Sequence, residues 1–249
     1  MTAKPAWPPL SCPRLFVPTL LGDGAVIRIE GAQAHYLTSV MRAKTKDPVK
    51  LFDGVSGEWL ARVEAIGKRD LLLQVEGQTR SLEPVPDLWL AAAPIRRARY
   101  DLVAEKACEL GVARFIPVLT RRCVVDKVNP ERLTAQMIEA AEQCGRMQLP
   151  ALSETLSLTQ FLNSIDGSRH IFFADEEGGA PLAEVAAARP GPAAILIGPE
   201  GGFDNIERDM IKGHSSAIAV SLGPRILRAE TAAIAALSVW MAIAGDWHP

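Results

Sequence analysis

The stretch Ile195-Leu-Ile-Gly-Pro-Glu-Gly-Gly-Phe-Asp204 decides the fold. An apolar run enters a turn that holds Gly198, Gly201 and Gly202, and Asp204 with Glu207 then opens a helix with a capping-box pattern that Gly213 closes. Runs that are apolar at every position suit strands buried on both faces, as in a parallel sheet covered by helices. A glycine turn at the carboxyl end of such a strand is where open α/β folds bind ligands, because no Cβ keeps the ligand from the backbone. The spacing is neither G-x-G-x-x-G nor a turn ending in Gly-Lys-Ser/Thr, so it is not a known phosphate cradle. The plain alternative is a tight strand-to-helix connection.

A second stretch, Leu222-Gly-Pro-Arg-Ile-Leu-Arg-Ala-Glu-Thr-Ala232, repeats the pattern after the apolar run Ala217–Ser221. Glu230 suits the first turn of the Ala-rich helix that continues to Ala244. That helix is apolar almost all round, so it belongs in a core or against another subunit. Arg225 and Arg228 read either as ligand contacts or as surface charges paired with Glu230. A third stretch, Glu142-Gln-Cys-Gly-Arg146, ends a helix that Asn129-Pro130 begins, and its arginine could simply offset the helix dipole.

Upstream, the apolar runs at 89–93, 114–119 and 171–174 complete a set of buried strands, with a helix from Asp101 to Leu110 stopped by Gly111. Before Asp87 the texture differs. Five short β-type runs (14–17, 25–29, 49–52, 58–63 and 71–75) are separated by Gly/Asp turns, with one helix near Gln33–Met41, and this spacing predicts a small barrel. Pro84 and Pro86 stiffen the segment between the two textures. Residues 1–80 are therefore expected to form one domain and 81–249 a second. Pro5, Pro8 and Pro9 predict a short extended arm at the start.

Of the 249 residues 48% are hydrophobic, enough for a real core, and no run approaches a membrane-spanning length. No apolar stretch follows Lys4, so a secretory signal is not expected. Cys12, Cys108, Cys123 and Cys144 form no Cys-x-x-Cys pair and have no nearby histidine at a ligand spacing; reduced thiols of a cytoplasmic protein are expected, and no metal. Cys108 and Cys144 read as small core residues of their helices. The net charge of −2 combines a mildly basic first part, to residue 150, with an acidic remainder. Any nucleic-acid contact would come from the first part, where Arg42, Lys44, Lys46 and Lys50 cluster; the plain reading of that cluster is a solvated loop.

Taken in order, these stretches resemble the bacterial 16S rRNA uridine-N3 methyltransferases of the SPOUT class. The resemblance covers nearly the whole chain. It includes Arg14-Leu-Phe-Val17, His35-Tyr-Leu-Thr-Ser-Val-Met-Arg42, Val49-Lys-Leu-Phe-Asp-Gly54, Glu105-Lys-Ala-Cys-Glu-Leu-Gly-Val112, Arg121-Arg-Cys123, Glu142–Arg146 and the two glycine stretches. It implies an α/β chain with a trefoil-knotted, parallel-sheet C-terminal domain behind a PUA-like, RNA-binding β-barrel. It further implies S-adenosyl-L-methionine (SAM) as cofactor, a homodimer through the knotted domain and no membrane. The substrate implied is a uridine of the assembled small ribosomal subunit, near the decoding centre. Cofactor contacts are expected from Leu196, Ile197, Gly198, Pro199, Glu200, Gly201, Gly202, Leu222, Gly223, Ile226, Leu227, Arg228 and Thr231. Arg228 is the first candidate for stabilising charge on the base and Arg146 the second, with Glu230 and Glu142 as candidate proton acceptors. Arg42, Lys44, Lys46 and Lys50 would hold RNA phosphates, and the resemblance adds His35; His170, His214 and His248 are scattered and read as structural or surface residues. One departure stands out: similar proteins carry a lysine, then Met or a related residue, where this chain has Arg99-Tyr100, and arginine does not replace lysine freely at a tight site. Rival readings are a SPOUT enzyme acting on a ribose 2′-OH or another base, a non-catalytic RNA-binding assembly protein, and an unrelated nucleotide-binding α/β protein.

Overall fold

A computed structural model describes residues 12–247. The extended arm expected of Pro5, Pro8 and Pro9, and also His248, lie outside the described residues. The described residues form two compact units, one of residues 12–84 with 141–148 and one of residues 85–140 with 149–247.

The first unit is a sheet of β1 (Arg14–Phe16), β2 (Val26–Glu30), β3 (Pro48–Phe52), β4 (Glu58–Ile66) and β5 (Asp70–Arg80). Its strand order is β1-β3-β4-β5-β2, parallel between β1 and β3 and antiparallel elsewhere. Alternation sets the faces: in β2, Ile27 and Ile29 are buried while Val26, Arg28 and Glu30 face water. Register shifts along β4 and β5 bend the sheet around a core that includes Leu15, Leu37, Leu51, Val63 and Leu73. The expected helix is α1 (Gly31–His35), continued by a π turn over Tyr36–Val40. Buried Glu58 is held by Arg14 at 2.6 Å and Lys50 at 3.1 Å. Burial pushes its carboxyl up, but these two cations outweigh that and hold it below its ordinary value. Asp53 is similar: burial is overcome by hydrogen bonds from Ser56 and from the backbone N–H groups of Leu21, Ser56 and Val55.

The second unit is a parallel sheet of β6 (Leu88–Ala92), β7 (Arg114–Leu119), β8 (Ala151–Leu152), β10 (His170–Ala174), β11 (Ala180–Pro181), β12 (Ala193–Ile197) and β13 (Ala217–Ser221), with β9 (Leu156–Ser157) paired to β7. The order is β11-β13-β10-β12-β6-β7-β8. Every residue of β12 is buried, as its unbroken apolar run requires. From β12 the chain crosses back over β10 to lay β13 on that strand's other side. Because the three strands are parallel, the loops that leave them emerge at one end of the sheet.

The helices are α2 (Arg97–Glu109), α3 (Pro130–Cys144), α4 (Leu158–Ser164), α5 (Leu182–Ala188), α6 (Asn205–Lys212) and α7 (Ala229–Ala244). The stops and starts follow the expected chemistry. Gly111 and Gly145 take positive φ after α2 and α3, and Asn129 Oδ1 accepts from Arg132 N at the start of α3. Asp204 and Glu207 form the reciprocal capping box of α6. Helix α2 begins four residues before the expected Asp101. Helices α4 and α5 escaped the sequence reading because each spans only two turns, although Ser157 and Gln160 form a capping box for α4. Helix α7 packs against α2, α5 and β12, burying Ala233, Ala236, Leu237, Trp240 and Met241. One expectation fails: Cys108 is buried, but Cys144 is exposed, because the last turn of α3 turns it away from the core.

Candidate functional site

A cavity of about 500 Å3 opens where β10, β12 and β13 end. Three loops build it: Asp175, Glu176 and Gly178 after β10, the glycine turn 198–203 after β12, and 222–228 after β13. Its size falls in the range usual for small-molecule sites, roughly 300–1,000 Å3. Its position is the one open α/β sheets use for ligands, beyond the carboxyl ends of adjacent strands.

Two of the glycines leave little room for a side chain. Gly202 has φ +66°, and a Cβ there would lie 2.3 Å from Glu176 Oε1. A Cβ on Gly198 would press on the Phe203 ring at 3.1 Å. Two latches fix the first loop from outside. Arg122 donates to the carbonyl of Gly201 at 2.8 Å, and Glu207 Oε1 accepts from the backbone N–H of Arg121 at 2.7 Å. Arg121 also pairs with Asp204 at 3.1 Å. The segment Arg121-Arg-Cys123 thus braces the glycine turn.

Most of the expected cofactor residues line this cavity: Ile197, Gly198, Pro199, Glu200, Gly201, Gly202, Leu222, Gly223, Ile226, Leu227 and Arg228. Leu196 and Thr231 do not. Leu196 points into the hydrophobic core, and Thr231 is on the exposed side of α7, where Ala232 takes the place at the wall. Ile226 is 87% exposed, an apolar side chain held in water at the cavity rim. The sequence reading missed the third wall. The signal was present, since Gly178-Gly179 follows the buried run 171–174 just as the other turns follow theirs.

Arg225 and Arg228 are exposed, and among the described residues neither forms an ion pair. The pairing with Glu230 that offered the plain explanation is absent. Glu230 is buried and instead faces Arg99, whose Nε lies 3.5 Å from Glu230 Oε1 while its Nη1 lies 3.8 Å from Glu200. The second Glu230 oxygen is buried with no hydrogen-bond partner. Glu230 does not line the cavity. The Arg99-Tyr100 departure is therefore two things: Arg99 joins carboxylates from both ligand-loop regions, and Tyr100 fills the core, its hydroxyl donating to Ala92 O at 3.0 Å.

Glu142 and Arg146 do not line the cavity either. Glu142 Oε1 accepts from Phe16 N at 3.0 Å and from Gln33 Nε2 at 3.2 Å. The Arg146 carbonyl accepts from Arg14 at 2.7 Å, and its guanidinium donates to Gln148 O. Both serve packing within the first unit. There, Arg42, Lys44 and Lys46 are exposed on the loop between the π turn and β3, and Arg42 and Lys46 hold positive φ of 55° and 76°. Non-glycine residues rarely hold that conformation, and where they do it is often at binding sites. Lys50 differs from its neighbours because its ammonium is committed to buried Glu58.

Comparison with known proteins agrees with this layout. Residues 81–241 match the RNA methyltransferase domain, and residues 29–76 match the RNA methyltransferase PUA domain. The ribosomal RNA small subunit methyltransferase E of Rickettsia conorii is 33% identical, over 90% of this chain and 93% of its own length. The protein of that name from Mycobacterium tuberculosis is 29% identical, over 93% and 92%. A Legionella pneumophila protein solved with bound SAM is 31% identical, with TM-score 0.84 over 94% of this chain and 99% of its own. The Neisseria gonorrhoeae methyltransferase E, solved with S-adenosyl methionine, shares the fold at TM-score 0.88 and 24% identity, over 95% of this chain and 100% of its own.

A PUA unit and a parallel α/β unit with a three-loop cavity, matched by these two domain families, define an RNA methyltransferase. Within that class, the chain belongs to the family of the ribosomal RNA small subunit methyltransferases E.

Proposed function

We propose that this chain transfers a methyl group from SAM to N3 of one uridine in 16S rRNA of the small ribosomal subunit, working as a cytoplasmic homodimer. The observation that supports this reading most is the cavity itself, in a chain 31% identical to a protein solved with SAM. The wall suits that ligand: backbone groups of two glycine turns for the polar edges, Pro199, Leu222, Ile226 and Leu227 for the apolar faces, and Glu176 as an acceptor. Bound SAM supplies a methyl group already activated on a sulfonium, so much of the protein's work is positioning.

Arg228 is the residue to meet charge on the base. It is a cavity-wall cation with no carboxylate partner among the described residues, so it is free to stabilise negative charge spread over O2 and O4 as the N3 proton leaves. Glu230 stays a candidate to take that proton, through water, because one of its oxygens lacks a partner. Arg99 would then orient Glu230 and steady Glu200. Glu142 and Arg146 carry no step in this proposal. Arg42, Lys44 and Lys46 would contact RNA phosphates, which position without reading sequence. Exposed Ile243 and Trp247 at and beyond the end of α7 support burial of that helix end in a dimer. No helix among the described residues is long and apolar enough to cross a membrane.

Nucleoside analysis of small-subunit rRNA from cells lacking the gene tests the reaction. Loss of 3-methyluridine is the expected result, and loss of a 2′-O-methyl nucleoside would move the chemistry to the ribose. Calorimetric titration with SAM separates an enzyme from a non-catalytic assembly protein, for which no binding would be seen.

A further inference from the structure

The third wall of the cavity carries a carboxylate that ion pairing alone does not explain. Arg208, on α6 and almost fully buried, bonds Asp175 Oδ1 at 3.0 Å, Glu177 Oε1 at 2.7 Å and Glu176 Oε1 at 2.6 Å. Asp175 is fully buried and also meets Lys212 at 3.2 Å. Three carboxylates thus share two cations, and the cluster keeps one net negative charge. Asp175 and Glu177 already balance the charges of Arg208 and Lys212, so the third acid, which meets Arg208 Nη2, adds like-charge repulsion without being needed for neutralisation. Of the two acids that reach solvent, Glu176 is the one in the cavity wall. Its loop leaves β10, the strand between β12 and β13, and so stands between the two glycine loops. The first loop passes so close that a Cβ at 202 would displace the carboxylate.

We infer that Glu176, held in place by Arg208, accepts hydrogen bonds from the ribose diol of the bound cofactor. This rests on the SAM reading above. An ionised carboxylate is an acceptor only, so it must meet donors. SAM offers the ribose hydroxyls, the adenine amino group and its cationic centres. The cluster's one net negative charge does not by itself choose among these donors, and the carboxylate geometry does. Two oxygens on one carbon match two vicinal hydroxyls. An acid beyond a parallel strand does the same for ribose in dinucleotide-binding α/β folds. Arg208 is then a positioning residue, since it fixes the carboxylate without reaching the cavity wall itself.

The test is calorimetry of the wild-type chain and E176A with SAM, S-adenosylhomocysteine, 5′-methylthioadenosine and the 2′-deoxy and 3′-deoxy forms of the last. E176A is expected to weaken the first three ligands by the same factor, roughly tenfold or more for a charged acceptor lost. The wild type should discriminate against the deoxy ligands and E176A should not. R208K, with the charge kept and the fork lost, should weaken the same three ligands together. Equal binding by wild type and E176A would overturn the inference. So would a loss confined to SAM, which would mean pairing with its sulfonium. If the wild type binds none of these ligands, the cofactor reading itself falls, a result distinct from either.

Discussion

Gly202→Ala is the sharpest single perturbation of the cavity. The new methyl group meets two obstacles. The backbone sits at φ +66°, where a left-handed conformation costs an L-residue about 1–2 kcal/mol. The Cβ also lies 2.3 Å from Glu176 Oε1, so the carboxylate must swing away and leave its 2.6 Å bond to Arg208. Glu176 is a flexible, partly exposed side chain, so its movement adds little to the folding cost. It does change the cavity wall. The expected melting temperature falls by roughly 2–8 °C, taking about 2–4 °C per kcal/mol for a chain of this size. SAM affinity should fall by roughly tenfold or more as a charged acceptor is displaced. Gly201→Ala is the control: its φ lies outside the left-handed range, and its Cβ would meet Arg122 Cβ at 3.4 Å, an ordinary contact. Thermal denaturation and calorimetry on both variants decide the matter. If G202A matched wild type in stability and SAM affinity, or if G201A were the worse of the two, the cavity geometry described here would be wrong.

Arg228→Ala should lower turnover at saturating SAM and RNA by roughly 100-fold, as removal of a charge-stabilising donor does, while leaving the SAM dissociation constant nearly unchanged; unchanged turnover in a single-turnover methylation assay would remove Arg228 from the chemistry. Reversing charge at Arg42, Lys44 and Lys46 together should weaken RNA binding and flatten its dependence on salt, read by filter binding across a salt series. Lys50→Glu should act differently, lowering the melting temperature by replacing one of the cations on buried Glu58 with a negative charge, though Arg14 remains. The carboxyls of Glu58 and Asp53 lie below their ordinary values in the folded chain. Their stabilisation is therefore complete above the unfolded values, near pH 4, and is lost as pH falls through the lower folded ones. Urea midpoints measured from pH 6 down to pH 3 should drop over the acid end of that range, and the drop should shrink in E58Q.

The legible parts of this chain are those where one local rule settles the outcome. The unbroken apolar run 193–197 had to be an inner parallel strand, and Gly111, Gly145 and the Asp204–Glu207 box fixed helix ends to within a residue. Eleven of the thirteen expected cofactor residues line one cavity because the two turns leave parallel strands that flank β10, at the same end of the sheet. What stayed hidden depended on partners far away in sequence. Nothing near Glu176 announces Arg208, and nothing near Glu142 announces that Phe16 N and Gln33 will use it. Lys50 looked like its neighbours until β3 brought it to Glu58. Leu196 and Thr231 show the limit of reading a motif as a continuous block: one step into the strand, or one step round the helix, takes a residue off the cavity wall. The Arg99-Tyr100 departure also made sense only in three dimensions, where one residue bridges Glu200 and Glu230 and the other fills the core.

The central claim is that this cavity delivers a methyl group to a uridine base. In vitro methylation of unmodified small ribosomal subunits with labelled SAM, followed by nucleoside analysis, tests it most directly. Label is expected in 3-methyluridine at a single position, reduced roughly tenfold or more by G202A at low SAM and roughly 100-fold by R228A at any SAM concentration. Label in a 2′-O-methyl nucleoside, or no label from a protein that binds SAM, would contradict it.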